Sequence, residues 1–458
     1  MPTFAAEKMA AWTGGRWTRI PSGAVTGFTQ DTRQLAAGQV FVALRTDRRD
    51  GHDFLGEALA RGATAALVGR EMAGAALPQL VVPDGLAAFQ AIAREHRRGF
   101  PGTVVGISGS VGKTSTKDLL GLLLGGQPQV LATEGNFNNQ IGVPLTLTKL
   151  DPASHHFAVI EAGISGPGEM APLAGMIAPD HSIITLVAPA HLEKLGSVEG
   201  VANEKGLLLA GTHRGGLQVF PVSCWQYELY RQFANPLVLV PENEGMTKVT
   251  GRTVKFNVFH RADQTELTLD GKRRFKLRRV SSGMAQNAAL ALALASDLGV
   301  SDAMLQARVA GWQPSKWRGE LRPSGEATAY CDFYNANPAS MADAIDAFHQ
   351  AVSATLPRLY VLGCMEELGA ASADFHRQLG RMMHLRPGDF LFVIGAQAEA
   401  LREGLLENGN APAQVAVITD LQPVRDRLAG FKGAVFLKGS RRYQLETVLD
   451  ASLAHSAH

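Results

Sequence analysis

The residues best suited to chemistry are Gly109-Ser110-Val111-Gly112-Lys113-Thr114, with Ser115 just behind them. They follow a short apolar run, Thr103-Val104-Val105-Gly106-Ile107, and open a helical stretch from Thr114 to Leu124. Strand, glycine loop and helix start form an arrangement in which backbone N–H groups and the helix terminus wrap a phosphate. Lys113 would then meet the β- and γ-phosphates of a nucleotide, and the Thr114 hydroxyl would ligate Mg²⁺. The general pattern G-x-x-x-x-G-K-[ST] is missed at one position, because Ile107 stands where its first glycine belongs. Taken alone, the loop also reads as a tight strand-to-helix turn with a chance lysine.

Other candidates lie at the ends of apolar runs, where open α/β sheets present ligand groups. Glu161 follows His156-Phe157-Ala158-Val159-Ile160 and offers oxygen ligands suited to Mg²⁺. A carboxylate opening a helix is the plainer reading. His191 follows Ser182 to Val187, although a lone histidine is more often structural than a ligand. Asn138 and Asn139 suit the amide groups of a substrate, or equally a loop capping its own backbone. Asn335-Ala336-Asn337-Pro338 also reads as a turn with an Asx cap.

These groups need a scaffold of several cores. The chain has 458 residues, which predicts two to four domains. Boundaries are expected at Phe100-Pro101-Gly102 and near Gly311 to Trp317, giving units 1–100, 101–313 and 314–458. The class is α/β throughout. In the first unit, strands are expected at Val40–Leu44 and Ala65–Val68, with helices at Phe54–Arg61 and from Pro83 to Arg98. The middle unit continues with a more alternating section, Leu237 to Val280, expected to be antiparallel, and then a helix from Ala285 to Leu298. In the last unit, strands at Tyr330–Phe333, Leu359–Leu362, Phe390–Ile394 and Ala434–Leu437 alternate with helices at Ser340–Val352, Ala373–Met383, Ala396–Asn408 and Leu421–Leu428.

Composition removes several classes. Lys and Arg total 44 against 42 Asp and Glu, a net charge of +2, so nothing points to nucleic acid as partner. The basic clusters Arg94–Arg98 and Lys272–Arg279 read as a solvated face or a strand edge. Three scattered cysteines, Cys224, Cys331 and Cys364, fit reduced thiols. No secretory signal is visible at the N-terminus, and the apolar stretch Leu119–Leu124 is too short to span a bilayer. A cytoplasmic enzyme without integral membrane contact is expected.

The shortened loop G-x-x-G-K-T resembles that of the Mur ligases and their folylpolyglutamate synthetase relatives. Further segments carry the resemblance. Asn136-Phe137-Asn138-Asn139-Gln140-Ile141-Gly142-Val143-Pro144-Leu145-Thr146-Leu147, Asp332-Phe333-Tyr334-Asn335-Ala336-Asn337-Pro338 and Lys438-Gly439-Ser440-Arg441 look like the D-alanyl-D-alanine-adding branch of the Mur ligase family. Asp31-Thr32-Arg33 and Asp50-Gly51-His52-Asp53-Phe54 are similar to its uridine-nucleotide domain.

The resemblance implies three domains: an N-terminal α/β domain for the UDP end of the substrate, a central P-loop ATPase-type domain, and a Rossmann-like C-terminal domain. It implies an ATP- and Mg²⁺-dependent ligase joining D-alanyl-D-alanine to UDP-N-acetylmuramoyl-tripeptide through an acyl phosphate, acting as a monomer. Another Mur-type or folylpolyglutamate-type amide ligase is the alternative. Lys113, Glu161, His191 and Lys205 become the catalytic set, and Thr114, Glu161, His191 and Lys205 the metal set. Lys205, fourteen positions after His191, matches a lysine that relatives carbamylate. The loop 109–115, Asn287, Arg318, Asp332 and Asn335 would hold the nucleotide. Thr32, Arg33, Asn138, Asn139, Lys438, Ser440 and Arg441 would hold substrate, with Arg33 offering forked donors to a diphosphate. Four departures stand out. Gly283 replaces the histidine of G-x-H-N-x-x-N, Trp317 replaces a glycine before Arg318, Arg45-Thr46 replaces K-G, and Cys364 stands where aspartate is usual.

Overall fold

The computed structural model describes residues 1–245 and 248–449; residues 246–247 of the alternating middle section and 450–458 of the last unit lie outside it. Three sheets follow one another along the chain. The first has the order Arg16–Trp17, Gln79–Val81, Ala65–Val68, Gln39–Ala43, Gly27–Thr29, and only its first pair is antiparallel. The third runs Glu320–Ser324, Ala327–Cys331, Ala434–Lys438, Arg358–Gly363, Phe390–Ile394, Val415–Ile418, again antiparallel only at its first pair.

The second sheet has nine strands. Thr103–Ser108 lies third from one edge, between Phe157–Glu161 on one side and His181–Ile184 on the other, all parallel. The chain leaves Thr103–Ser108 toward one side and later returns to the other, so the loop 109–112 opens at the point where strand order reverses. That is where such sheets bind ligands. This apolar inner strand is buried on both faces, as parallel strands are. The register pairs Ile107 with both Glu161 and Ile183, which lifts Glu161 to the height of the loop.

The alternating section is only partly antiparallel. Pro236–Pro241 pairs parallel with both neighbours, and antiparallel pairing holds for Arg252–His260, Gln264–Leu269 and Arg273–Arg278. Pro236–Pro241 begins as a continuous buried run, which suits a two-faced central strand, while Arg273–Arg278 alternates and buries only Phe275 and Leu277. Lys272, Arg274 and Lys276 of the basic cluster are therefore on a solvated face, whereas Arg278 and Arg279 line a cleft. The strand at Ser182 also stops earlier than its apolar run, at Ile184, because Thr185 turns to donate to the Val111 carbonyl at 2.5 Å.

Helix Gly85–Arg98 joins the first two sheets. Asp84 caps it, accepting from Leu86 N at 2.9 Å and Ala87 N at 3.0 Å, and three basic residues fill its last turn, where the helix dipole favours them. Phe89 and Ile92 pack into the first core, and Ala93 packs into the second. At its end Arg97, only 4 % exposed, donates to the carbonyls of Ile177 (3.0 Å) and Ala178 (2.8 Å) and to Asp180 Oδ2 (2.9 Å). Asp180 in turn accepts from Val104 N at 2.7 Å, so this fork ties the joint to the start of the strand Thr103–Ser108. Arg97→Ala should destabilise the fold by about 2 to 3 kcal/mol, because buried acceptors lose their donor. A urea titration checks this as a lower midpoint at unchanged slope. Arg97→Lys should recover only part of it, since an ammonium cannot fork to three acceptors.

Candidate active site

A cleft of ≈ 850 Å³ opens over the loop 110–115 and is walled by the second and third sheets. The loop is held from three sides. Ser110 N donates to Leu186 O at 2.8 Å, and Ser110 Oγ donates to Ala188 O at 2.9 Å. Asn337, which caps helix Pro338–Ala351, reaches across from the third sheet to donate to Ser110 O at 3.3 Å. Gly112 has φ +82° and caps the helix Lys113–Leu123, one residue earlier than expected. A Cβ on it would lie 2.0 Å from Asn287 Nδ2, so only glycine lets Asn287 lie against the loop.

Lys113 and Thr114 face the cleft. Lys113 Nζ donates to Gly109 O at 2.9 Å. Burial pushes its ammonium pKa down, opposed by the Glu161 carboxylate and reinforced by Arg318. Thr114 Oγ1 accepts from Arg318 Nη2 at 3.1 Å, and that guanidinium stacks 4.3 Å over the Tyr334 ring. Arg318 and Tyr334 flank the strand pair that begins the third sheet, so this contact spans the cleft.

Glu161 is 1 % exposed. Its Oε1 accepts from Asn138 Nδ2 at 2.7 Å, while its Oε2 has no protein partner. Lys205 is fully buried, with an unpartnered Nζ. Burial first, then Lys113, hold its pKa well below the ordinary lysine value, partly opposed by Glu204, Glu161 and Glu169. His191 adopts φ +53° at the start of the short helix Leu192–Leu195 and bonds through Nδ1 to the Glu367 carboxylate of the third sheet's side. Burial and the neighbouring Lys205 lower its pKa, with Glu367 opposing.

Among the described residues, no group of three or more His, Cys, Asp or Glu side chains is arranged to hold a metal by itself. The donors present are a hydroxyl, a half-satisfied carboxylate, an imidazole and a deprotonation-prone amine. An orphaned carboxylate oxygen buried beside the phosphate loop fits a cation shared with phosphate oxygens, as Mg²⁺ is usually bound.

The structure thus brings together Ser110 to Ser115, Asn138, Asn139, Glu161, His191, Asn287, Arg318, Asp332, Asn335 and Lys438 around one cleft, with Lys205 packed behind it. Several of these are already engaged. Asn139 Oδ1 accepts from Ile141 N and Gly142 N, and Asn335 Oδ1 accepts from Ala336 N at 2.8 Å. Lys438, 1 % exposed, donates to Asp332 Oδ2 at 3.0 Å and to Asn335 O at 3.2 Å. Ser440 and Arg441 do not line the cleft; Arg441 bonds the buried Glu446. Thr32 and Arg33 sit on the first sheet's edge loop, with Thr32 buried and Arg33 clasping Asp31 at 2.7 Å. Sequence reasoning missed Glu169, Glu367 and Asp343. Glu169 and Asp343 line the cleft, and Glu367 meets it through His191. None sits in a motif or at a strand end, so no local signal marks them.

Residues 107–295 match the Mur ligase middle domain, and residues 317–441 match the Mur ligase, glutamate ligase domain. The chain is 33% identical over 437 residues to the UDP-N-acetylmuramoyl-tripeptide–D-alanyl-D-alanine ligase of Escherichia coli (strain K12), covering 92% of both. Its fold superposes on MurF from Acinetobacter baumannii with a TM-score of 0.86 at 26% identity, covering 100% of each chain. MurF ligase from Thermotoga maritima in complex with ADP gives 0.78 at 27% identity, covering 93% of this chain and 96% of that one. The expected α/β class and Mur ligase architecture are both met. A phosphate loop one glycine short of the general pattern, set in a scaffold that these ligases share over nearly its whole length, places the chain in the Mur ligase family, on its UDP-N-acetylmuramoyl-tripeptide–D-alanyl-D-alanine ligase branch.

Proposed function

We propose that this chain is an ATP-dependent ligase that joins D-alanyl-D-alanine to the peptide carboxylate of UDP-N-acetylmuramoyl-tripeptide, as a monomer in the cytoplasm. No described helix is long and apolar enough to cross a membrane. We divide the chain into 1–100 for the UDP end, 101–313 for ATP, and 314–458 closing over both. The observation that carries the reading is the single cleft in which the loop 110–115, Glu161 and His191 face Arg318 and Asp332.

The chemistry explains why such a cleft is needed. A carboxylate does not condense with an amine in water, because hydroxide leaves poorly. A carboxylate oxygen instead attacks the γ-phosphorus of ATP, ADP leaves, and an acyl phosphate forms. The dipeptide amine then adds to the acyl carbon, loses a proton, and expels inorganic phosphate. In the first step two anions must approach, so positioned positive charge dominates catalysis. In this reading, the backbone of 110–114 and Lys113 hold the phosphates, and Arg318 adds a second cation from across the cleft. Thr114, Glu161, His191 and a carbamylated Lys205 would hold Mg²⁺, which when bound neutralises the phosphoryl oxygens. Asn138 fixes one oxygen of Glu161 and leaves the other free. Carbamylation needs a neutral amine, and the depressed pKa of Lys205 favours one. The loop backbone, Asn287, Arg318, Asp332 and Asn335 are assigned to the nucleotide. Thr32, Arg33, Asn138, Asn139, Lys438, Ser440 and Arg441 are assigned to the peptide and uridine ends.

ADP release measured with the UDP-linked tripeptide should require D-alanyl-D-alanine and fail with single amino acids. Turnover with D-alanine or glutamate in its place would overturn the branch assignment. Chelation of divalent cations should stop turnover, and added Mg²⁺ should restore it. Lys113→Ala should lower kcat by about 10³-fold, the scale expected for removing a cation from a developing anion; retained turnover would show that the loop is not catalytic. With ¹³C-bicarbonate, the enzyme should show a carbamate carbon resonance that disappears in Lys205→Ala.

A further inference from the structure

The cleft continues past Asn287 and Gln286 to the first turn of helix Ser282–Asp297. Its far end is lined by Gly283, Met284 and Trp312 from one side, and by Asp343 and Ala347 of helix Pro338–Ala351 from the other. Gly283 N donates to Asp343 Oδ1 at 2.8 Å. A Cβ on residue 283 would come within 2.7 Å of Asp343 Oδ2 and 3.1 Å of its Cγ. The carboxylate therefore occupies the space that a side chain at position 283 would need. Ser281 gives it a second hydrogen bond, and burial pushes its pKa up against these donors. A carboxylate can accept about four hydrogen bonds, so capacity remains toward the cleft.

The position of this carboxylate follows from the direction of the cleft. Glu161 and His191 lie at one end, on the acyl-transfer side of the loop, so the γ-phosphate of a bound nucleotide points there. The base must point the other way, along the helix from Asn287 to Gly283. There it would lie between the apolar side chains of Met284 and Trp312 and beside the half-buried carboxylate of Asp343.

Resting on the ATP reading above, we infer that Asp343, its carboxylate seated in the space that glycine at 283 leaves free, is a specificity-determining residue for the nucleotide base, accepting a hydrogen bond from the 6-amino group of adenine. A carboxylate meets an amino group favourably and a 6-oxo group unfavourably. The enzyme should therefore reject a nucleotide that carries oxygen at that position.

The test compares ATP with inosine triphosphate, which has a 6-oxo group, in the full ligation assay. The wild-type enzyme should favour ATP in kcat/KM by tenfold or more, the scale of one hydrogen bond to a charged group. Asp343→Ala should lower kcat/KM for ATP about tenfold, mainly through KM, and leave inosine triphosphate little changed, so that the preference collapses. Asp343→Asn keeps the shape of the carboxylate and can turn an amide donor toward the base; it should raise the use of inosine triphosphate. A merely structural role would lower both nucleotides equally and leave the ratio intact, which overturns the inference. Wild-type enzyme that uses both nucleotides equally well overturns it too. Absence of turnover with any nucleotide would instead sink the ligase reading, and the inference with it.

Discussion

Asn287 lying against Gly112 is the contact on which the cleft depends. The helix Ser282–Asp297 can approach the phosphate loop only because no side chain stands on Gly112. That approach has two effects. It sets the floor along which a nucleotide must lie, and it fixes where the N-terminal turn of the helix ends, which is where Asp343 enters from the third sheet's side. The loop is then restrained by bonds from Leu186, Ala188 and Asn337, so its N–H groups are aimed before a phosphate arrives. Such preorganisation is what makes fixed dipoles effective, because no reorganisation is paid during the reaction.

Charge around the loop is deliberately unbalanced. Arg318 lowers the affinity of Lys113 for protons and Lys113 lowers that of Lys205, and Glu161 only partly compensates. One oxygen of Glu161 and the Nζ of Lys205 have no protein partner. Buried unpaired groups are costly, and beside a phosphate loop a bound ligand is what can complete them. An anionic phosphate chain with its cation supplies what the protein leaves out. The contacts across the cleft, Arg318 to Thr114 and His191 to Glu367, join the third sheet's side to the same unbalanced cluster.

Much of this was legible in the sequence because it depends on local chemistry. A buried parallel strand running into small residues and a lysine reads directly, and so does a glutamate at a strand end. The helix Gly85–Arg98 and the strands Ala65–Val68 and Phe390–Ile394 fall where periodicity puts them. Short edge strands such as Arg16–Trp17, Gly27–Thr29 and Glu320–Ser324 escaped notice, because a few residues carry no period and pairing alone defines them. Pro236–Pro241 was misjudged as antiparallel, since orientation is decided by the neighbouring strands and not by composition. Asp343 and Glu367 were invisible for the same reason. Each is placed by a partner, at Gly283 or His191, far away in sequence.

Trp317 shows how a departure from the family pattern can be absorbed. It takes φ +63° where the pattern carries glycine, and a left-handed residue with a side chain costs roughly 1 to 2 kcal/mol. The indole is 5 % exposed and packs on Phe333 with ring centroids 5.4 Å apart. Burying an aromatic side chain is worth about 1.5 to 3 kcal/mol, which works against both the strain and an indole Nε1 left without a hydrogen-bond partner. Two cations also lie over the ring, Lys316 at 4.7 Å and Arg441 at 5.2 Å, each adding roughly 0.5 kcal/mol or more. The replacement therefore links the residue before Arg318 to the Lys438–Arg441 segment. Arg441, expected at the substrate, is held between Trp317 and the buried Glu446, and there it braces the backbone that presents Arg318 to Thr114. In this chain the segment that reads as a substrate contact also supports the arm that spans the cleft.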